Sequence, residues 1–547
     1  MSSNHSSAGD YDSLKNSRRG RKSKDSGDIG ALSGPKKKSS TDSEETRRSQ
    51  TDEVDKGLSR RPRNEELPSE EAFALEPDRK NVITPKPSDI VEEPVPKDRE
   101  HVKERKRKKV EDRARKDFTM LDRDSWVKRN GHYLTYIGLY TFSILVLYRP
   151  YELIPGLGFL AATAFFVAAA TLFIYIPAQL STEGTLTYLS IEVKMVILLT
   201  VIALISVAIA KSSRTAWAEF NEIFIKAVLM FIVMVNVLRT RRRLMGMVWL
   251  SMGIALVLSY MALGMYWRGE LGVEGYRVGV NIGGMFGNPN DLALHLVTMV
   301  PLAVALGVAS RSVLAKLCYF TMSGLFVAGI MVTYSRGGFI GLMCVAGFLI
   351  WKLSKENRLQ VIAVAIVFFA LFIALAPGNY GMRLLSIFDP SLDGVGSRNQ
   401  RRDLLFRSIL VSIRNPWGIG IGNFPIVGIR NLVSHNSYTQ VSSELGLLGL
   451  AAYLVFLISP FRRLAAIERR LQDRDEGRWF YFLAIGFQAS LIGFCVSSFF
   501  VSVAYNWFIY YLIAYAVAFR RIYTIEFNVA EEAGKFSLKK YIPGWQN

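Results

Sequence analysis

The chain has 547 residues, is 50% hydrophobic and carries a formal net charge of +20. Residues 1–130 alone hold 32 of the 67 Lys and Arg and 27 of the 47 Asp and Glu, and what remains is arranged in apolar runs. Runs of about 18 to 25 residues exclude a soluble globular domain and read as a polytopic membrane protein. Outside the first 130 residues the surplus positive charge sits mostly in short loops between these runs, so the basicity gives no support to a nucleic-acid partner. Cys318, Cys344 and Cys495 lie inside apolar runs without CxxC or His spacing, which argues against a disulfide scaffold and against a zinc site.

Residues 1–130, rich in Ser, Lys, Arg, Glu, Asp and Pro, have too little apolar surface to fold and read as a disordered cytoplasmic tail. Within it, 103–117 (KERKRKKVEDRARKD) is helix-compatible and basic, suited either to anionic headgroups or simply to enforcing orientation. The first apolar run begins only near Tyr133, so no signal peptide is expected. Spans are expected at about 133–148, 155–179, 193–210, 220–238, 246–266, 291–309, 316–334, 336–351, 359–377, 441–459, 479–499 and 503–519. They are expected as helices, because a segment in hydrocarbon must satisfy its own backbone and these runs are too long for barrel strands. The basic loops RTRRR (239–243), 310–316, 351–358 and 461–478 then fall on one side with the tail. That bias predicts an all-α polytopic membrane protein of about 12 transmembrane helices with both termini cytoplasmic. The expected organisation is a tail at 1–130, a transmembrane domain at 131–525 and a cytoplasmic C-terminal tail at 526–547.

Two segments on the opposite face stand out. Residues 267–290 carry glycines and an Asn-Pro-Asn turn leading into a helix. Residues 378–440 form the one long loop between spans, the kind of element on which recognition and chemistry are usually placed. This loop holds Arg383, Arg398, Arg401, Arg402, Arg407, Arg414 and Arg430 against Asp389, Asp393 and Asp403, and no lysine. The guanidinium fork suits phosphate or diphosphate oxygens, although any single arginine there has the alternatives of snorkelling or pairing with an aspartate.

His435, where the loop meets the expected span at 441–459, is a candidate general base, with Asn436, Tyr438 or Gln440 to orient an acceptor; the alternative is a polar helix start. His295 falls inside a span and is either a site residue or an interhelical hydrogen-bonding group. Arg336, in TYSRGGFIG, either ends two helices or projects into a cavity. Arg277 offers another cation, and Asn288, Asn290 and Asp291 collect polar groups at the start of the expected span at 291–309. The GIGIG run at 418–422 lacks the ending of a phosphate loop and reads as a flexible turn after Pro416.

The ordered set RVGVNIGGMFGNPNDLA, TYSRGGFIGL, an arginine-bearing loop, NPWGIGIGNFPIVG and SHNSYTQVSSELGLLGL resembles the O-antigen ligase and polymerase superfamily over roughly 190–520, most strongly over 277–450. The resemblance implies a multispan glycosyltransferase of the bacterial inner membrane. It would move a saccharide from an undecaprenyl-diphosphate-linked donor to a hydroxyl on a lipid, glycan or protein acceptor at the periplasmic face, needing neither metal nor cofactor. It assigns His435 as the base and Arg336 and Arg402 to the donor diphosphate, with Arg398 as the competing placement for Arg402. Arg277, Asn290, Asn436 and Tyr438 are the implied substrate-contacting residues. Ligase chemistry is the leading expectation, with a repeat-unit polymerase or a protein O-oligosaccharyltransferase as alternatives on the same scaffold. A transporter of lipid-linked saccharides and a membrane anchor working through its tail are the competing classes.

Overall fold

The computed structural model describes residues 126–353, 397–472 and 477–528, apart from 155, 273–274, 281 and 283–285, together with the isolated positions 366, 381 and 385. Apart from those isolated positions, the span expected at 359–377 and the loop before residue 397 lie outside these residues, as do the basic stretch 103–117, the chain after residue 528 and nearly all of the expected tail.

Among the described residues the chain forms helices and connecting loops with no strand element. The principal helices are α1 (Trp126–Ser143), α2 (Thr163–Glu183), α3 (Ile191–Ala208), α4 (Ser213–Val237, with a π turn at Phe220–Phe224), α5 (Arg241–Trp267), α6 (Pro289–Ala309) and α7 (Val313–Val332). They continue as α8 (Arg336–Leu353), α9 (Ser397–Arg414), α10 (Ser437–Glu444), α11 (Gly446–Leu471), α12 (Arg478–Ser497) and α13 (Trp507–Tyr523).

Ten of these, α2 to α8 and α11 to α13, are long and apolar enough to cross a membrane, where about twelve were expected. Of the remaining two, 359–377 is outside the described residues. The other, 133–148, is covered by α1, which starts earlier at Trp126 and continues through a π turn at Ile144–Tyr148. Its opening WVKRNGH makes it too polar to count with the ten. A second difference concerns the expected span at 441–459. Glu444 ends α10, and Gly446, at φ +76°, restarts the chain as α11 in a new direction.

α6, α12 and α13 are the most enclosed helices, with α6 packed along α7, α8 and α12, and α13 against α4 and α11. Inside a bilayer apolar faces gain little from meeting one another, so close approach and hydrogen bonds between helices hold the bundle. Gly486 of α12 lets that helix close on α6, where an added Cβ would lie 3.2 Å from the Pro301 carbonyl oxygen. Beside it the Ser490 hydroxyl donates to the Thr298 carbonyl at 2.7 Å. Ser251 and Ser143 share hydrogen bonds with Tyr515 and Tyr511, each at 2.8 Å. Such bonds contribute about 0.6 kcal/mol apiece in membranes.

One end of the bundle is tied by buried ion pairs. Glu183 at the end of α2 meets Arg239 at 2.9 Å and Arg521 at 2.6 Å, and Lys352 meets Glu468 at 2.8 Å. Glu192 at the start of α3 accepts from Arg520 at 2.9 Å and from the Ser459 hydroxyl. At the other end, α9 and α10 and the loops after α5, α7 and α12 come together.

Candidate functional site

Four loops build the site, and two of them adopt unusual backbone conformations. Tyr334 (φ 51°) and His435 (φ 51°) are non-glycine residues in the left-handed region, which is sparsely populated and costs of order 1 to 3 kcal/mol. Tyr334 turns the chain from α7 into α8, and His435 turns it into α10.

Around Arg336 the turn is braced from α6. Ser335 caps α8, its hydroxyl accepting from the Gly338 N–H at 3.2 Å and donating to Asn290 Oδ1 at 2.9 Å. Asn290 Oδ1 also accepts from Arg277 Nη2 at 2.9 Å, and Arg277 Nε donates to the Thr333 carbonyl at 3.0 Å. Asn288 in turn accepts from both nitrogens of Asn290. Arg277 is only 3% exposed and Asn290 7%, and through these bonds the two residues form a bracket that holds the Thr333–Arg336 turn in place. Arg336 itself begins α8 and is half-buried.

Around His435 the loop is fastened on both sides. Asn436 caps α10, its Oδ1 accepting from the N–H of Tyr438 at 2.9 Å and of Thr439 at 3.0 Å. Ser434 Oγ donates to the Asn436 carbonyl and shares a hydrogen bond with Ser502 Oγ at 3.0 Å. Ser437 Oγ donates to the Val501 carbonyl at 2.7 Å and accepts from the Val503 N–H at 3.0 Å. The Tyr438 hydroxyl donates to the Cys495 carbonyl at 2.8 Å, and its burial pushes the phenol pKa up. Asn436 and Tyr438, expected as acceptor-contacting residues, are thus committed through these atoms to internal bonds. Asn436 Nδ2 and Gln440 Oε1 remain buried without a hydrogen-bond partner among the described residues.

Burial, together with the Arg401 guanidinium nearby, lowers His435 from the ordinary 6.5 to about 4, so its imidazole is neutral around pH 7. Arg402 is exposed. Its side chain is 65% exposed and lies 3.7 Å from Asp403, and Arg398 is exposed as well. The half-buried Arg401, not singled out from sequence, is the loop arginine closest in effect to the histidine.

The element that unites the two halves is the turn at 498–503 between α12 and α13, a break expected between the spans at 479–499 and 503–519 but not read as part of a site. On one flank it bonds Ser434 and Ser437 and sets Phe499 6.2 Å from the Tyr438 ring. On the other, Phe500 packs on Gly337, where a Cβ would sit 2.7 Å from the Phe500 Cβ. His435 and Arg336 therefore stand on either side of one turn.

The GIGIG run is not a loose turn but a pinned strap. The N–H groups of Ile419 and Gly420 donate to the Ser443 and Glu444 carbonyls at 2.9 and 3.0 Å, and Leu447 N–H donates to the Pro416 carbonyl at 2.9 Å. The buried Glu444 carboxyl accepts from the Phe424 N–H at 3.1 Å, and this burial lifts it from 4.5 to about 7. Further along, Asn423 Oδ1 accepts from Ser212 N–H at 2.7 Å, anchoring the strap to the start of α4. His295 lies elsewhere, 4% exposed inside α6, with its ring 5.3 Å from Phe286 and 5.2 Å from Phe508.

Residues 321–454 match the O-antigen ligase family. The match covers about a quarter of the chain, from α7 through the Ser-Arg-Gly-Gly turn, α9, the glycine strap and α10 into α11. Over this segment the protein is similar to O-antigen ligases, and the rest of the bundle lies outside the match. No curated protein matches the chain.

Proposed function

We propose that the protein transfers a saccharide from an undecaprenyl-diphosphate-linked donor to a hydroxyl acceptor at the outer face of the bacterial inner membrane, with both termini cytoplasmic. The setting would be assembly of a cell-surface polysaccharide or glycoconjugate, with single transfer of the ligase type preferred. The observation that carries this reading is the turn at 498–503, on whose two flanks a neutral imidazole, His435, and a half-buried guanidinium, Arg336, are held within a segment similar to O-antigen ligases.

In the proposed step the acceptor hydroxyl gives its proton to His435 while its oxygen bonds to the anomeric carbon. The bond from that carbon to the diphosphate oxygen breaks, and the electron pair leaves with undecaprenyl diphosphate. Arg336 receives the charge that grows on the leaving group, an interaction stronger in the transition state than before it. Burial and, after it, the Arg401 guanidinium hold the imidazole neutral, and a dianionic donor arriving beside it would offset the guanidinium field and make the imidazole a stronger base when needed. The unpartnered amide atoms of Asn436 and Gln440 supply one donor and one acceptor for sugar hydroxyls.

The test uses the full chain in bilayers supplied with undecaprenyl-diphosphate saccharide, with and without EDTA. Release of undecaprenyl diphosphate that survives EDTA and falls about 10²- to 10⁴-fold in His435→Ala supports base catalysis without a metal. A single adduct identifies ligase chemistry and a ladder identifies a polymerase. Absence of release across several donors and acceptors, with donor crossing the bilayer, would move the assignment to transport.

A further inference from the structure

On the far side of α9 from His435 lies a cleft of about 160 Å³ lined by Lys211, Arg407, Leu410, Val411, Arg414, Asn415, Ile419 and Val427. It presents three cations and no carboxylate. Arg407 Nε is fixed on the Val427 carbonyl at 2.9 Å, which orients the guanidinium, and the Lys211 N–H is fixed on the Ile419 carbonyl at 3.0 Å. Arg407 and Arg414 are seven residues apart and share a face, whereas Arg407 lies about 120° around the helix from Arg401. The cleft and the His435 environment are therefore separate places.

The surroundings of the cleft indicate what it meets. Next to the arginine stripe α9 exposes Phe406 and Ile413, which are 64% and 72% accessible and fall on one side of the helix, and just past its end Trp417 is 76% accessible. Trp417 follows Pro416, whose carbonyl accepts from Leu447 at the start of α11, where Leu447 and Leu448 are also exposed. On its other side the cleft borders the end of α3, whose exposed Leu204, Ile205 and Ile209 belong to a helix apolar enough to span the bilayer. An apolar stripe with a tryptophan, flanked by cations and continuous with the lipid-facing ends of two spans, has the composition of a helix lying in the headgroup layer.

We propose that α9 rests in the leaflet at this end of the bundle and that the Lys211–Arg407–Arg414 cleft binds the phosphate of an anionic phospholipid. The acyl chains of that lipid run down the exposed faces of α3 and α11. This lipid is a resident of the protein and not its donor substrate, so the inference stands apart from the proposed transfer.

The experiment measures lipid retained on the purified full chain by native mass spectrometry, with phosphatidylglycerol, phosphatidylcholine, inorganic phosphate and undecaprenyl diphosphate as the four probes. Phosphatidylglycerol should be retained in preference to phosphatidylcholine, and Lys211→Gln with Arg414→Gln should weaken it on the order of 30-fold. Lys211→Arg with Arg414→Lys should retain it, and His435→Ala should bind it as the wild type does. If the double glutamine variant does not fold, Arg414→Gln alone, at an exposed position, carries the test with a smaller expected loss. Undiminished phosphatidylglycerol binding in the glutamine variants overturns the assignment. So does competition by inorganic phosphate at equal concentration, which would mark a soluble-anion site, or displacement by undecaprenyl diphosphate at lower concentration, which would mark a donor site.

Discussion

Glu444 is fully enclosed where the glycine strap crosses the end of α10, and replacing it by glutamine tests how that crossing is held. Its carboxyl has the Phe424 N–H and the Gly422 N–H to accept from and the Tyr505 side chain against it, yet burial dominates and raises it from 4.5 to about 7. A raised folded value means the folded protein keeps the proton more tightly than the unfolded chain. The associated stability is fully present below pH 4.5 and is lost as pH rises through 7. At 1.36 kcal/mol per unit the whole window corresponds to about 3 kcal/mol. Glu444→Gln keeps the accepting oxygen and turns its amide towards Tyr505, without a charge to develop. Thermal unfolding in lipid nanodiscs at pH 5 and at pH 8 should therefore find the two proteins alike at the acid end, and the variant more stable by up to about 3 kcal/mol at the alkaline end. Parallel curves for wild type and variant between those pH values would refute the account of a buried, proton-bearing carboxyl.

Asn290→Ala removes the acceptor that Arg277 Nη2 and Ser335 Oγ share, and loss of these two buried hydrogen bonds should cost about 1 to 3 kcal/mol, read from unfolding in denaturant. The same variant should lower transfer more than stability alone explains, because the turn carrying Arg336 loses its brace. Gly418→Ala places a methyl against the Glu444 carbonyl at φ +88° and should cost at least about 2 kcal/mol, with hydrogen exchange rising first in 416–424. The transfer rate should fall as pH drops through about 4, where His435 takes up a proton, and Arg401→Gln should move that midpoint upwards; a midpoint unaffected by Arg401 would remove that residue from the site.

The bundle was largely legible because the bilayer demands long apolar helices, and each expected span from 193 to 351 coincides with one helix, the largest difference being the start of α4 at Ser213. Less legible were features that depend on which way a helix is rotated. Arg401 and Arg402 differ by about 100° around α9, and in a loop crowded with arginines no apolar pattern decides which of them turns inward. Arg277 was read as a further cation and Asn290 as one of the polar groups at the start of the span at 291–309. That their hydrogen bonds are made to each other and to the backbone is a tertiary fact that composition does not carry. The break at the 498–503 turn was legible, since it falls between the spans expected at 479–499 and 503–519, but its role was not. Nothing in the types of Phe499, Phe500, Val501 and Val503 marks the bonds that this turn makes to Ser434 and Ser437. The glycine strap was read as flexible because glycine permits motion, whereas here positive φ values let the backbone reach Ser443 and Glu444 and become fixed.

The segment similar to O-antigen ligases ends at residue 454, yet the bracket at Arg277 and Asn290 and the turn at 498–503 both lie beyond its borders. A chimaera that grafts 321–454 onto another helical bundle would bring His435 and Arg336 without the parts that set their separation. Exchange of specificity between such proteins should therefore succeed only when the donor fragment is widened to begin before Arg277 and to run past Val503.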